Sequence, residues 1–113
     1  MIYLASPYSH SNPSIVQERY EDALFCTGAL MSRGLHVFSP IVHCHEAAKL
    51  HKMPGHFDFW QRYNLSFLRK ADQLWIIKLD GWEDSKGVAY ELQFAKKLYI
   101  SYSFCDRNGF EVL

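Results

Sequence analysis

The feature that most constrains this fold is one continuous segment, residues 73–95, which joins an apolar run, a polar loop and an amphipathic stretch. Leu74–Ile77 is apolar throughout, which is typical of a strand buried on both faces. Asp80-Gly81 then predicts a turn before the short polar loop 82–87, and the amphipathic stretch that follows predicts a helix. Because open α/β sheets bind ligands where a strand passes into its loop and helix, this segment predicts a site as well as a fold.

The beginning of that helix predicts a place for an anion. Ser85 and Gly87 stand where the helix starts, and a helix N-terminus combines free backbone N–H groups with the positive end of the helix dipole. Glu91 follows about one turn later, at roughly 1.5 Å of rise per residue. An anion bound at Ser85 and Gly87 would therefore hold an attached sugar near Glu91. The alternative is ordinary helix chemistry, since Ser is a common cap and Glu a common solvated acid.

The remaining segments predict an alternation of strands and helices. In chain order these are a strand over Ile2–Ala5, a helix over 14–33 ended by Gly34, a strand over 36–40, helices over 46–50 and 57–71, a parallel strand over 98–104 and a short extension over 110–113, with a turn at Pro54-Gly55. This order predicts a three-layer α/β fold, Rossmann-like or flavodoxin-like, with a small, mostly parallel sheet of four to five strands and flanking helices. We expect residues 1–113 to form a single domain.

The charge balance and the cysteine content indicate which kinds of partner and which cellular compartment to expect. Twelve basic and twelve acidic side chains balance, which favours neither nucleic acid nor a membrane surface as partner. No apolar stretch approaches the about 20 residues of a membrane span, and the N-terminal MIYLASPY lacks the basic region of a signal peptide. The three cysteines, Cys26, Cys44 and Cys105, are odd in number and match no paired spacing. A reduced, cytoplasmic setting is therefore expected.

The loops that follow the predicted strands should converge on one edge of the sheet and form a pocket there. These loops are residues 6–9, 39–45 and 80–87. Ser6 could hold a phosphate or a sugar, although turn formation also explains a serine there. Tyr3 could point into the pocket from the first strand, although an aromatic strand residue usually packs in a core.

The histidines of the middle region raise the question of a metal. The nearby residues that could bind zinc are His43, Cys44, His45, His51 and His56. Their spacings match no closed structural zinc site, and no HExxH motif is present. We therefore expect no metal and no other cofactor. A ligand-contacting His43 and a buried Cys44 thiol are the preferred interpretations.

Four stretches, MIYLASPYS, FSPIVHCH, FDFWQRYN and ADQLWIIKLDGWEDSKGVAYE, together resemble the nucleoside 2-deoxyribosyltransferase-like superfamily over about residues 1–103. The SxGxxxE segment is similar to the active-site segment of the 2′-deoxynucleoside 5′-phosphate N-hydrolases. The resemblance implies that Glu91 attacks the anomeric carbon of the sugar, that Tyr3 lies near it and that Ser85 binds the 5′-phosphate. It also implies that Ser6 lies in the loop lining the phosphate and sugar pocket, and that the protein is a homodimer or larger.

One position departs from the family's pattern. The family commonly carries an aspartate on the helix before the central strand, where this chain has Asn64. Asparagine can hydrogen bond a sugar or base but cannot deliver a proton, and general acid–base help is worth typically 10²–10⁴-fold. Asn64 in place of the aspartate therefore predicts either slower cleavage or a different substrate.

Together these observations predict N-glycosidic cleavage of a (deoxy)nucleoside 5′-monophosphate, giving free base and sugar phosphate. Glu91 would be the nucleophile, with Tyr3 and Asn64 orienting it and the sugar. The expected substrate-binding residues are Ser6, Ser85, Gly87, Asp80, His43, Phe38 and Trp60. Two alternatives stay open: base exchange by a nucleoside 2-deoxyribosyltransferase, and a non-catalytic protein that binds or sequesters a nucleotide. In each case the partner is a small nucleotide or nucleoside.

Overall fold

A computed structural model describes residues 1–53 and 55–113, so Pro54 of the predicted Pro54-Gly55 turn lies outside the described residues. The strands are β1 Ile2–Ala5, β2 Val37–Phe38, β3 Gln73–Ile77, β4 Ser101–Cys105 and β5 Glu111–Val112. The helices are α1 Pro13–Ser32, α2 Pro40–Leu50, α3 Phe57–Leu68 and α4 Lys86–Lys97, with a short 3-10 helix at Trp82–Asp84. None of the helices in these two ranges has both the length and the apolar character needed to cross a bilayer.

The described strands form one sheet in the order β2-β1-β3-β4-β5. The pairs β1–β2, β1–β3 and β3–β4 are parallel, and β5 adds an antiparallel edge to β4. The predicted α/β fold with a mostly parallel sheet of four to five strands is confirmed. After β1, the chain adds β2 on one side of that strand. It then adds β3 on the other side of β1, and β4 next to β3. The strand order therefore reverses between β1 and β3, which is where such sheets bind ligands.

The two faces of the sheet carry separate apolar clusters. Tyr3 and Leu74 belong to the cluster under α3 and α4, whereas Leu4 and Ile77 belong to the cluster under α1. Leu74, Ile76 and Ile77 have no exposed surface, so β3 is buried on both faces, as its unbroken apolar sequence predicts. This alternation sets the direction of every side chain on β1. It turns Tyr3 toward α4 and Leu4 toward α1.

Two predicted element boundaries move because residues next to helix ends determine where helices begin and stop. The helix predicted over 46–50 begins earlier, at Pro40, because the Ser39 side chain accepts a hydrogen bond from the Val42 N–H at 3.2 Å and proline occupies the first helical position. The strand predicted from residue 98 begins at Ser101 instead. Tyr99 has a positive φ of 57°, and Ile100 N–H donates back to Ala95 at 2.9 Å, so this segment closes helix α4.

The other helix ends follow the sequence signals. Gly34 adopts φ 82° directly after α1 and donates its N–H to the Met31 carbonyl, as a C-terminal glycine does. Helix α3 ends at Leu68, three residues before the predicted Ala71, and the Ala71 N–H still donates to the Leu68 carbonyl at 3.0 Å. The predicted polar loop 82–87 contains the 3-10 turn, and α4 begins at Lys86.

Candidate functional site

A cavity of about 750 Å³ opens at the carboxyl ends of β1 and β3, at the point where the strand order reverses. Its walls come from four parts of the chain: the loop after β1, helix α2, helix α3 and the first turns of α4. The predicted convergence thus holds for the loop after β1, for the one leading into α4, and for residues 39–45, which form the beginning of α2 instead of a loop. The volume suits a ligand of nucleotide size, since small-molecule sites are typically about 300–1,000 Å³.

Among the described residues, two acids line this cavity, Asp84 just before the Ser85 cap and Glu91, which α4 carries into the wall. Glu91 is 8% exposed, and the Tyr3 hydroxyl donates a hydrogen bond to its Oε2 from the fully buried first strand. Burial raises the pKa of the Glu91 carboxyl to about 7, while the hydrogen bond from Tyr3 opposes that rise. Burial, and then the charge of Glu91, raises the pKa of Tyr3 well above its usual value. Tyr3 therefore stays a hydrogen bond donor while Glu91 titrates near neutral pH.

The first turn of α4 forms the adjoining wall. Ser85 caps the helix, its Oγ accepting a hydrogen bond from the Val88 N–H at 3.2 Å. Ser85, Lys86 and Gly87 all line the cavity. A Cβ built on Gly87 would meet no neighbouring atom nearer than the Ser85 Oγ at 3.9 Å. Glycine is therefore not required by packing inside the protein, and its missing side chain leaves the helix backbone open to the cavity.

Asn64 and Trp60 reach the cavity from α3, and Ser6 reaches it from the loop after β1. The Oδ1 of Asn64 and the Oγ of Ser6 are buried and have no hydrogen bond partner among the described residues. Buried polar atoms are normally paired, because an unpaired one costs about 1–3 kcal/mol. Two such atoms beside one cavity indicate that the site is built to hold a polar ligand or ordered water.

Residues 1–104 match the family described as a domain of unknown function, DUF1937. The chain belongs to that family. Comparison with curated proteins finds no match. The fold of this DUF1937 domain is similar to that of a 2-deoxyribosyltransferase from the psychrotolerant bacterium Bacillus psychrosaccharolyticus, with 25% sequence identity and a TM-score of 0.60, covering 99% of this chain and 75% of that one. The resemblance to the nucleoside 2-deoxyribosyltransferase-like superfamily is thereby confirmed.

Three residues predicted to bind substrate lie outside the cavity of this DUF1937 domain. Phe38 is packed inside the protein, stacked on Phe67 with ring centroids 4.3 Å apart and tilted against Tyr3 at 5.8 Å. Asp80 is exposed in the turn after β3, where its backbone carbonyl accepts a hydrogen bond from Arg19 at 3.2 Å. Neither side chain lines the cavity.

His43 is the third of these residues. It is exposed on α2, and its Nε2 lies 3.1 Å from the Tyr63 hydroxyl. Both residues border a separate, smaller cavity of about 90 Å³, which shares Trp60 with the large one. The large cavity is lined by the remaining predicted site residues, which are Glu91, Asn64, Ser6, Ser85, Gly87 and Trp60. Tyr3 is connected to the cavity by its hydrogen bond to Glu91.

The sequence interpretation passed over two further residues of the cavity wall in this DUF1937 domain, Tyr8 and His45. From the sequence, His45 is considered only as a possible metal ligand, and the helix is predicted to begin at Glu46. A helix that begins at Ser39-Pro40 instead places four residues at spacings of three, one and three along one face, and these are Ile41, Cys44, His45 and Ala48. The Ser-Pro pair is the sequence signal that would have shown this.

Proposed function

We propose that this protein cleaves the N-glycosidic bond of a (deoxy)nucleoside 5′-monophosphate, giving the free base and the sugar phosphate. The observation that carries this proposal is the buried Tyr3–Glu91 hydrogen bond beside a nucleotide-sized cavity, with Glu91 about 9 Å of helical rise from the Ser85 cap of α4. The similarity in fold to a 2-deoxyribosyltransferase supports glycosyl chemistry on a nucleoside-type substrate in general.

In this proposal the phosphate binds at the beginning of α4. Ser85 contributes no charge that would repel a phosphate, and Gly87 leaves the backbone of the first turn accessible. The positive end of the helix dipole and the N–H groups of that turn favour an anion. A phosphate held there places the sugar toward Glu91, so the binding energy of a remote group orients the reacting carbon.

The carboxylate form of Glu91 then attacks C1′ of the sugar. The new bond joins a Glu91 oxygen to C1′, the C1′–N bond breaks, and its electron pair leaves with the base, which takes a proton from solvent. Water next attacks C1′, the ester bond breaks, and its electron pair returns to Glu91 while the water proton passes to solvent. Splitting displacement into two steps is the general logic of carboxylate nucleophiles in retaining glycosidases. Tyr3 holds the Glu91 carboxylate in position through both steps.

The wall around the base comes from α2 and α3 in this proposal. Ile41 and Trp60 supply apolar and aromatic surface, and Asn64 supplies a polar atom without a hydrogen bond partner in the part of the chain that the structure describes. Stacking and hydrogen bonding are the two interactions by which proteins commonly hold a base outside a duplex. The remaining polar atom, the Ser6 Oγ, is assigned to the sugar or phosphate.

The test is incubation with a panel of 2′-deoxy- and ribonucleoside 5′-monophosphates, including modified pyrimidines, followed by chromatography of the free base. We expect one class of nucleotide to release its base and Glu91→Gln to abolish that release. Glu18→Gln, which changes an exposed glutamate on α1, is the matched control and should retain full activity. Release of base by Glu91→Gln at the wild-type rate would overturn the assignment of the nucleophile.

Base exchange is a second candidate because the similar fold belongs to a 2-deoxyribosyltransferase. In that reaction a free base, rather than water, attacks the sugar held on Glu91. Adding an isotopically labelled free base to the same incubation separates the two reactions. Label in the nucleotide fraction would establish exchange, whereas label that stays in the free base together with steady accumulation of sugar phosphate would establish hydrolysis. Nucleotide binding without any product would instead favour the sequestering role that Asn64 suggests.

A further inference from the structure

Tyr8 and His45 line the cavity, and together with Tyr20 they form a cluster of three rings that has no role in the mechanism above. The Tyr8 hydroxyl lies 2.6 Å from the Nδ1 of His45. The His45 ring is stacked on Tyr20, with centroids 3.9 Å apart and an interplanar angle of 14°, and Tyr8 meets the His45 ring edge-on at 89°. The cluster thus ties together the loop after β1, helix α1 and helix α2.

His45 is held rigidly in this cluster. It is 5% exposed, although histidine is ordinarily only partly buried, and its Nε2 has no hydrogen bond partner among the described residues. The nearest acid, Glu46 on the same helix, is 3.9 Å from Nε2 and largely exposed. Burial lowers the pKa of His45 and raises that of Tyr8, so both rings stay neutral near pH 7. The contact between them is therefore a neutral hydrogen bond.

The Tyr8 hydroxyl is the part of the cluster that a ligand can meet. A phenolic oxygen can make up to three hydrogen bonds, one as donor and two as acceptor, and His45 accounts for one of them. Tyr8 lines the cavity and is only half-buried, whereas His45 and Tyr3 are buried. His45 thus holds the Tyr8 hydroxyl at the cavity wall, where that hydroxyl can still form further hydrogen bonds.

A second tyrosine–histidine pair, Tyr63 on α3 and His43 on α2, shows the alternative. The Tyr63 hydroxyl and the His43 Nε2 are 3.1 Å apart, but both residues are exposed and neither lines the large cavity. A pair of this kind is ordinary surface chemistry. The Tyr8–His45 pair differs by its burial, its stacking on Tyr20 and its place in the wall.

We propose that Tyr8 is a substrate-binding residue that hydrogen bonds the base of the nucleotide, and that His45 is its positioning residue. This inference rests on the proposed function, which assigns the phosphate and sugar to the wall formed by α4. Tyr8 is anchored to the wall formed by α2, which is left for the base. The hydroxyl discriminates among bases by the hydrogen-bonding atoms that they present, because a polar group left unpaired in a site costs binding free energy.

The test compares binding of two probes by calorimetry on the Glu91→Gln background, which prevents turnover. The first kind of probe is a nucleotide, and the four common 2′-deoxynucleoside 5′-monophosphates are used. The second kind is 2-deoxyribose 5-phosphate, which has no base. We expect Tyr8→Phe to weaken binding of the preferred nucleotide about three- to tenfold, the range for one neutral hydrogen bond, and to leave binding of 2-deoxyribose 5-phosphate unchanged. Tyr63→Phe, the matched control, should change neither.

Each other result has a definite meaning. Equal weakening of both probes by Tyr8→Phe would overturn the contact with the base and place Tyr8 on the sugar or phosphate. Unchanged binding of both would overturn the role of Tyr8 altogether while leaving the proposed function intact. If no nucleotide of the full panel used to test the proposed function binds before Tyr8 is changed, the nucleotide site itself is overturned, and this inference falls with it.

Two substitutions of His45 test the positioning role through catalysis in the otherwise unchanged protein. Asparagine can place a side-chain acceptor close to where Nδ1 lies, whereas leucine fills similar space without any polar atom. We expect His45→Leu to raise KM for the preferred nucleotide to the level of Tyr8→Phe with a smaller change in kcat, and His45→Asn to restore part of the loss. Equal KM values for His45→Asn and His45→Leu, when both variants are folded, would overturn the positioning role.

Discussion

The hydroxyl of Tyr3 donates a hydrogen bond to Glu91 across 88 positions of sequence, joining the first strand of the sheet to the helix at the reversal point. The pair is buried on the α4 side of the sheet, so the two groups influence each other in a medium that screens charge poorly. Burial lifts the pKa of Glu91, and the tyrosine partly offsets that rise. The ionisation of the proposed nucleophile therefore depends on one neighbour.

The first prediction concerns the pH dependence of base release. Glu91 must be ionised to attack, and its pKa is about 7, so kcat/KM should fall about tenfold per pH unit below that value and level off above it. Tyr3→Phe removes the hydrogen bond that lowers the pKa, so the midpoint should move to higher pH. Rates measured from pH 5 to 9 test this, with the exposed Tyr102→Phe as control. A Tyr3→Phe midpoint at or below that of the wild type would contradict the argument.

The second prediction concerns stability, with the sign set by proton binding. Between the ordinary carboxyl pKa of 4.5 and the native value of about 7, the native state binds more protons at Glu91 than the unfolded state does. Its contribution to the free energy of unfolding is therefore present at low pH and is lost as pH rises through 7, by about 3 kcal/mol in all. Glu91→Gln lacks this loss and should be more stable than the wild type at pH 8. Urea unfolding at pH 5 and pH 8 measures the difference, which should shrink at the lower pH.

The third prediction concerns the charge at the Ser85 position. Aspartate is as good a helix cap as serine, so Ser85→Asp should unfold at nearly the wild-type urea concentration. Its carboxylate would repel a phosphate at the same place, so the preference should move from nucleotide toward nucleoside in a competition assay. Asn12→Asp adds the same charge at the cap of α1 and should not change the preference. An unchanged preference in Ser85→Asp would remove the phosphate from this position.

The fourth prediction separates folding from binding at Gly87. Alanine in place of a helical glycine is worth up to about 1 kcal/mol, and a Cβ at Gly87 meets no protein atom nearer than 3.9 Å, so Gly87→Ala should be at least as stable as the wild type. The same methyl group would occupy cavity space next to the proposed phosphate and weaken nucleotide binding. Gly28→Ala in the middle of α1, where a Cβ meets nothing within 4 Å, gives the stability gain alone. Full nucleotide affinity in Gly87→Ala would exclude a close backbone contact.

The fifth prediction concerns protonation of the leaving base. Asn64 cannot donate a proton as an acid, so nucleotides whose bases leave poorly as anions should be cleaved slowly. Asn64→Asp supplies a carboxyl group, and we expect its largest gain, tenfold or more, on those poor leaving groups. The measurement is kcat/KM for a series of bases of increasing basicity in both proteins. A gain of the same size for every base, or none, would exclude proton transfer at this position.

Much of the framework was readable from local signals. The unbroken apolar run of β3 predicts a strand covered on both sides, and β3 is buried by α1 on one face and by α3 and α4 on the other. The Ser85 cap and Gly34 mark helix ends that a single residue type can define, since capping depends on the neighbouring backbone alone. The homodimer and the single-domain organisation stay predictions.

Sequence patterns alone therefore predict the order of elements, the parallel sheet and the position of Glu91 near the beginning of its helix. Tertiary structure alone decided which side chains meet: Phe38 packs against Phe67 and not in the cavity, while Tyr8 and His45 join from segments 37 residues apart. The two kinds of interaction differ in how far apart along the chain their partners lie. Hydrogen bonds within a turn or a cap act between neighbours in sequence, whereas the direction of a strand residue or the partner of a buried ring depends on the packing of the whole sheet and its helices.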